Sequence, residues 1–449
     1  MLIVLSDLHF SDGSTATNVA PEVFSQILFP AIMLRAGNPA KSLTEIHLVL
    51  AGDIFDLVRA DKWLELDKAK RPWNGTLDFH IAVNTDFAVE LLYSQVLDII
   101  LAEPACATFI AEINKLADNI HGIPVKITYL PGNHDRAVNN YVSLQNKIRS
   151  LFPGIDIEIR NNLLAGEYAV LCRHGHEWDE TCYSYDFARK VLNISLEDRF
   201  DPAYHKVQNI GEVITTEILG GITYHLKNTF NWQGKNDKLL EYIKDIYNVR
   251  PALSGINWLI WITTANFDKT LRSEIINALH LSLESFLDTT LAKMWDKVSP
   301  DLIFIGDIID RIQLLKNYLM KDNFNSLQLT LEIIKFGEKY FKPFDDKYVK
   351  GARQDFEKHP DIQLVIYGHT HQAREVIIAG NSRSTYRYIN TGTYLPLIQE
   401  ARVKGFGRAK RMTLTFIYNK NEDRGSNSNK KENSISLEFW DGLKQKEYQ

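Results

Sequence analysis

The sequence predicts a layered α/β fold. Several short runs of Val, Ile and Leu end abruptly in polar or glycine residues, as buried strands do. A polar loop containing Asp, Asn or His follows each run at once. Loops at the carboxyl ends of sheet strands converge on one edge of the sheet, so we expect these loops to meet in space. The runs are 2–5, 47–50, 126–130, 169–172 and 363–367.

The chain of 449 residues exceeds the usual size of a single domain. Residues 186–351 separate the fourth loop from the fifth and are mostly helical in pattern. We therefore expect a main domain of residues 1–185 and 352–449, with 186–351 inserted as a large helical cap. Two strand-like runs, 412–418 and 434–440, close the chain on either side of a polar linker.

The composition excludes some classes of protein. A formal net charge of -5 gives no global positive field to attract nucleic acid, which makes a nucleic-acid partner unexpected. Three cysteines without a paired CxxC spacing argue against a disulfide framework. No signal peptide or transmembrane segment is evident, and we expect a cytoplasmic protein. The sequence does not predict the oligomeric state.

The five loops carry residue types that bind divalent metals. Asp7 and His9 follow the first run. Because successive side chains of an extended chain point to opposite sides, these two would lie on the same side and could bind one cation. Asp53, after a glycine, is placed to bridge two ions. Nitrogen and oxygen ligands together suit Mn, Fe or Zn rather than Ca or Mg alone. His134, next to Asn133, is free to do proton chemistry or to contact a phosphate oxygen. The remaining candidate ligands are Asn133, His174, His369 and His371.

The ordered motifs DLH, GDIFD, GNHD, HGH and GHTH resemble those of the calcineurin-like metallophosphoesterase superfamily. The resemblance covers roughly residues 1–180 and 360–400 and leaves the insertion unmatched. It implies a four-layer fold in which two β-sheets are flanked by helices. It also implies that two divalent metals are bound, with manganese favoured and iron, zinc or nickel as alternatives. The implied ligands of one metal are Asp7, His9, Asp53 and His371, and those of the other are Asp53, Asn133, His174 and His369.

The resemblance further implies that His134 lies beside the substrate as a general acid or transition-state stabiliser, with Asp135 orienting it. Two cations about 3.5–4 Å apart can activate a shared water and clamp both the attacking and the leaving oxygen of a phosphate. We expect hydrolysis of a phosphomonoester, phosphodiester or pyrophosphate bond in a small metabolite or nucleotide. The alternatives are a nuclease of the DNA-repair type and a non-catalytic scaffold that binds proteins.

The sequence leaves two possible roles for each of several residues near the motifs. Asp56 is a candidate partner for a ligand imidazole or an acid at a helix start. His176 could replace His174 as a ligand, although the motif favours His174. Arg136 and Arg173 could contact phosphate or lie on the surface. Four tryptophans of the insertion could wall a pocket or fill its core, and the core is favoured: Trp232, Trp258, Trp261 and Trp295.

Overall fold

The computed structural model describes residues 1–74, 87–120, 122–250, 254–265, 269–298, 308–319, 346–380, 385–401, 405–423 and 436–448. Its strands, β1 to β13 in chain order, are Leu2–Leu5, Ile46–Leu50, Val125–Tyr129, Asp156–Ile159, Asn162–Ala165, Val170–Arg173, Val249–Arg250, Leu364–Tyr367, Arg374–Gly380, Thr385–Asn390, Pro396–Glu400, Phe406–Tyr418 and Ser436–Tyr448. Its α-helices, α1 to α14, are Phe29–Ala36, Asp61–Leu64, Phe87–Ala102, Pro104–Asn119, Val142–Ser150, Tyr185–Lys190, Ile210–Val213, Gly221–Asn228, Asp237–Lys244, Ser254–Ala265, Lys269–Leu287, Thr290–Trp295, Ile308–Leu319 and Lys347–Lys358.

The strands form two mixed sheets. The larger sheet has the order β4-β3-β2-β1-β12-β11-β7, with β13 paired along β12. Strands β1 to β4 are parallel, so the loops after β1, β2 and β3 leave from the same edge. The smaller sheet has the order β5-β6-β8-β10-β9, and its parallel strands β6 and β8 bring two further loops together. All five runs predicted as strands are therefore confirmed.

Apolar side chains hold the sheets and helices together in layers. Val4 of the larger sheet and Ile366 of the smaller sheet belong to one buried cluster between the sheets. The other face of the larger sheet packs against helices, with Ile3 and Phe109 in the same core. Phe356 of α14 packs on the outer face of the smaller sheet. The predicted α/β class is confirmed as helices packed with two mixed sheets.

The described part of 186–351 is mainly helical and joins the main domain closely. Its short strand β7 pairs in parallel with β11, so the segment also extends the larger sheet. Its apolar residues share one core with those of the main domain, as Ile222 does with Phe10. Residues 299–307 and 320–345 lie outside the described part of the chain. The boundaries of the cap stay a prediction.

The tryptophans of the insertion fill its core. Trp232, Trp258 and Trp295 are buried, and the indole of Trp258 donates to the carbonyl of Tyr242 at 2.9 Å. Trp261 stacks on Trp258 with ring centroids 5.2 Å apart. Core packing therefore accounts for these side chains. Among the described helices, none combines the length and apolar character that crossing a membrane requires.

A buried ion pair fastens the insertion to the main domain. Nη1 of Arg71 donates to both carboxylate oxygens of Glu217, at 2.8 and 2.7 Å. The indole of Trp73 and the hydroxyl of Ser285 also donate to this carboxylate, at 2.6 and 2.7 Å. Glu217 is only 1% exposed, so its charge depends on these partners.

We expect Glu217→Ala to lower the free energy of unfolding by about 3–5 kcal/mol, because it leaves the Arg71 guanidinium buried without its counter-ion. Urea denaturation measures the loss. The matched control is Glu241→Ala, which removes an exposed pair with Lys244 and should cost less than about 1 kcal/mol. Equal losses in both variants would contradict the structural role of the buried pair.

Candidate metal centre

The loops after β1 and β2 run side by side at the edge of the larger sheet. The amide of Asp7 donates to the carbonyl of Gly52 at 3.0 Å, and that of His9 donates to the carbonyl of Asp53 at 2.9 Å. These main-chain bonds continue the parallel pairing of the two strands beyond their ends. They hold the first two motifs in a fixed register.

Five of the predicted metal ligands have a left-handed backbone. Their φ angles are 52° at Asp7, 47° at His9, 53° at Asp53, 69° at His369 and 60° at His371. Such a conformation costs on the order of 1–3 kcal/mol per non-glycine residue and concentrates at functional sites. The expected extended chain at Asp7 and His9 is therefore wrong. Turns, rather than strand alternation, aim these side chains into the same site.

Four of the predicted ligands form a first group. Nε2 of His9 lies 2.9 Å from Nε2 of His371 and 3.7 Å from Oδ2 of Asp53. Oδ1 of Asp7 lies 3.8 and 3.5 Å from the same two nitrogens. Ligand atoms about 2.0–2.1 Å from one cation are roughly 3–3.5 Å apart, so this spacing fits a shared metal.

A second group adjoins the first through Asp53. Oδ2 of Asp53 lies 3.1 Å from Nε2 of His174, which is 3.2 Å from Oδ1 of Asn133. That amide oxygen lies 3.0 Å from Nδ1 of His369. The structure thus brings together all seven predicted ligands, with one oxygen of Asp53 between the two groups. These buried histidine and aspartate groups could hold metal.

Hydrogen bonds orient two of the imidazoles. Nδ1 of His9 meets Oδ2 of Asp56 at 3.0 Å, and Nδ1 of His174 meets the carbonyl of Ala51 at 2.9 Å. An acceptor at Nδ1 keeps the proton there and leaves the lone pair of Nε2 for a metal. Of the two roles considered for Asp56, the structure shows contact with an imidazole, that of the predicted ligand His9.

Asp56, not Asp135, orients His134. Oδ1 of Asp56 lies 2.8 Å from Nδ1 of His134, and the hydroxyl of Tyr247 lies 2.9 Å from Nε2. The expectation that Asp135 orients the imidazole is therefore wrong. The Asp135 carboxylate instead accepts from the hydroxyl of Tyr129 and from the amide of Ile54, the latter at 3.0 Å. The Asp135 carboxylate therefore links the loop after β3 to the loop after β2.

Gly132 permits the close approach of those loops. A Cβ at this position would overlap Oδ1 of Asp53 and the ring of His174. The amide of His134, two residues further on, donates to Oδ1 of Asp53 at 2.8 Å. This contact occupies Oδ1 and turns Oδ2 toward the two groups of ligands.

Burial and neighbouring charges shift the pKa values of the site residues. Burial favours the neutral forms of His9 and His174, but carboxylates outweigh it. Asp56 and Asp7 raise the pKa of His9 to about 9, and Asp53 raises the pKa of His174 to about 10. Burial opposes ionisation of Asp53 too, yet the imidazoles of His174 and His134 hold its pKa well below the usual range.

Burial, followed by the charge of Asp53, raises the pKa of Asp135 to about 6. Burial and then the Arg250 cation hold the pKa of His371 well below its ordinary value. His371 is therefore neutral at pH 7, which is the form that binds a metal. At pH 7 the imidazoles of His9 and His174 are therefore charged, whereas that of His371 is neutral.

Other residues considered from the sequence belong to neither group of ligands. The ring of His176 packs against that of His174, with centroids 5.3 Å apart, and against Tyr183 and His205. Arg136 is buried and pairs with Glu212, and Arg173 is buried and pairs with Asp355. Neither arginine lies on the surface. Each forms a buried ion pair with a carboxylate.

A further grouping consists of Asp179, Cys182 and His369. Nζ of Lys347 lies 2.8 Å from Oδ2 of Asp179, and this ammonium opposes a cation there. We therefore do not assign it a metal.

Three residues beside the site were missed from the sequence. Tyr247 and Arg250 come from the insertion. Arg250 ends the two-residue strand β7, and Tyr247 lies just before this strand, which is too short to give a periodic signal. Arg250 reaches Nδ1 of His371 at 2.9 Å. Arg59 pairs with Asp56 at 3.4 Å and lies against the ring of Tyr247. Its position three residues after Asp56 could have suggested it.

Neither the models of known protein families nor the curated proteins show a match to this chain.

We expect Mn²⁺ binding at pH 7 to release about two protons, because the imidazoles of His9 and His174 must become neutral to bind it. Their raised pKa values stabilise the fold fully below their ordinary value of 6.5, and this contribution is lost as the pH rises through 9 to 10. Apparent Mn²⁺ affinity should therefore increase with pH up to that range.

Calorimetry in buffers of different ionisation enthalpy counts the released protons. The variant His174→Gln should release about one proton fewer than the wild type, whereas His225→Gln, on the helical insertion away from the ligands, should not differ. Binding heats that are the same in every buffer would contradict the assignment of protonated imidazoles to this site.

Proposed function

We propose that the protein is a dinuclear-metal phosphoesterase of the calcineurin-like metallophosphoesterase type. It would hydrolyse a phosphomonoester, phosphodiester or pyrophosphate bond of a small metabolite or nucleotide. The observation that carries the proposal is the position of Asp53. Its Oδ2 lies 3.7 Å from Nε2 of His9 and 3.1 Å from Nε2 of His174. Two sheets with helices on their outer faces are compatible with the four-layer fold of that family.

The donor atoms suit two divalent ions that share the Asp53 carboxylate. Manganese is favoured, with iron, zinc or nickel as alternatives, because imidazole nitrogens and carboxylate oxygens occur together. When bound, two such ions lower the pKa of water and polarise the phosphoryl oxygens. One ion would be held by Asp7, His9, Asp53 and His371, and the other by Asp53, Asn133, His174 and His369.

His134 would give a proton to the leaving oxygen of the substrate. Asp56 contacts Nδ1 of its ring, so Nε2 is the nitrogen available to the substrate. The hydroxyl of Tyr247 meets Nε2 in this structure, and the leaving oxygen would take that place. The Asp56 carboxylate stays ionised, because His134 and His9 outweigh its burial and hold its pKa below the usual range. It can therefore stabilise the charged imidazole.

We expect His134→Ala to reduce kcat by roughly 10²- to 10⁴-fold on an alkyl phosphate. The loss should be smaller on p-nitrophenyl phosphate, because nitrophenolate leaves without protonation. Steady-state rates with Mn²⁺ on both substrates measure the difference, and His225→Gln is the histidine control. Full activity of the His134 variant on the alkyl phosphate would remove this residue from catalysis.

We expect Asp53→Asn to abolish hydrolysis and to lower the bound Mn²⁺, because a neutral amide cannot bridge two cations in place of a carboxylate. Assays of a monoester, a diester and a pyrophosphate in parallel, together with metal analysis, test this change. Wild-type protein that binds no transition metal would support the scaffold instead. Preferential digestion of single-stranded DNA would support the nuclease.

A further inference from the structure

Two guanidinium groups lie against one aromatic ring beside the candidate metal centre. The Arg59 guanidinium carbon is 3.9 Å from the centroid of the Tyr247 ring, and that of Arg250 is 5.5 Å away. The same ring lies 5.5 Å from the ring of His134 and 5.7 Å from that of His371, between centroids. The two guanidinium groups therefore lie against a ring that neighbours both His134 and His371.

Arg59 has hydrogen-bonding capacity that the fold does not use. Its side chain is nearly fully buried, at 2% exposure of the residue. Nη1 lies 3.4 Å from Asp56, but no acceptor within the described part of the chain meets Nη2. A buried guanidinium donor without an acceptor is costly. Its position beside Asp56 and His134 points to an acceptor that comes with the substrate.

Arg250 is held by uncharged acceptors. It donates to the carbonyls of Tyr247 and Val249, at 2.6 and 3.0 Å, and to Nδ1 of His371 at 2.9 Å. An imidazole that binds a metal through Nε2 carries its proton on Nδ1 and cannot accept this last bond. Nη2 of Arg250 would then need another acceptor.

We propose that Arg59 and Arg250 form a subsite for a second anionic group of the substrate, carried on its leaving group. This inference rests on the proposed phosphoesterase function and narrows its substrate. With two divalent ions bound, positive charges would outnumber the carboxylates of Asp7, Asp53 and Asp56, so a substrate with more than one anionic group fits best. Guanidinium groups bind phosphate oxygens through paired hydrogen bonds.

The position of the subsite indicates the class of substrate. Because it adjoins His134, its anion belongs to the leaving group, and a leaving group that is itself a phosphate makes the substrate a phosphoanhydride such as a nucleoside diphosphate. Water supplies the new oxygen on the attacked phosphorus, and the anhydride P–O bond breaks with its electron pair on the leaving phosphate. His134 can protonate that oxygen and recover a proton from the water.

The test compares ADP with phenyl phosphate at a fixed free Mn²⁺ concentration, in the wild type, Arg59→Gln and Arg250→Gln. The wild type should show the higher kcat/KM for ADP, and each variant should lower the ratio of ADP to phenyl phosphate by roughly 10- to 100-fold. Arg59→Lys should lose less of this ratio. The control Arg160→Gln removes one positive charge from an exposed pair and should leave the ratio unchanged.

A binding arm separates this inference from the proposed function. Calorimetry with imidodiphosphate and with inorganic phosphate should give tighter binding of imidodiphosphate to the wild type, and both glutamine variants should lose the preference. If the wild type hydrolyses neither ADP nor phenyl phosphate, the proposed phosphoesterase function is contradicted. The preference for imidodiphosphate over phosphate in binding then tests the anion subsite independently of hydrolysis. Equal affinity for the two anions, or variant ratios equal to the wild-type ratio, would overturn the inference. Thermal unfolding checks that each variant is folded.

Discussion

The arrangement of the site depends on one carboxylate. Oδ1 of Asp53 accepts from the amide of His134, and Oδ2 faces Nε2 of His9 and of His174. Gly132 lets the neighbouring loop come close enough for the first contact. The left-handed backbone at Asp53 is strained, and parallel strand pairing on both sides holds it. The fold thus tolerates local backbone strain at Asp53, and this conformation places Oδ2 between the two groups of predicted ligands.

The insertion completes this site rather than only covering it. Its strand β7 joins the larger sheet beside β11, and that pairing fixes the chain that carries Tyr247 and Arg250. Tyr247 meets His134 from one side while Asp56 holds it from the other. Of the two arginines in the proposed anion subsite, Arg250 comes from the insertion, which carries no recognised motif, and Arg59 comes from the loop after β2. Both guanidinium groups lie against the ring of Tyr247.

Much of the site could be predicted from the sequence, because its ligands follow directly after strands whose apolar runs are plain. Asp53 and His174 lie at the ends of β2 and β6 for this reason. The residue that orients His134 could not be predicted from its neighbour in the sequence. The Asp135 carboxylate instead accepts from the amide of Ile54, in the loop after β2. Tyr247 could not be predicted either, because it lies 113 positions from His134 in the sequence and only tertiary packing brings the two side chains together.

We propose that two metal ions would share the Asp53 carboxylate. Electron paramagnetic resonance of the Mn²⁺-loaded protein tests this sharing, since two ions about 3.5–4 Å apart interact magnetically. We expect the spectrum of a spin-coupled pair at two equivalents of Mn²⁺ in the wild type, and its loss in Asp53→Asn. A spectrum of isolated ions in the wild type, or saturation at one equivalent, would contradict it.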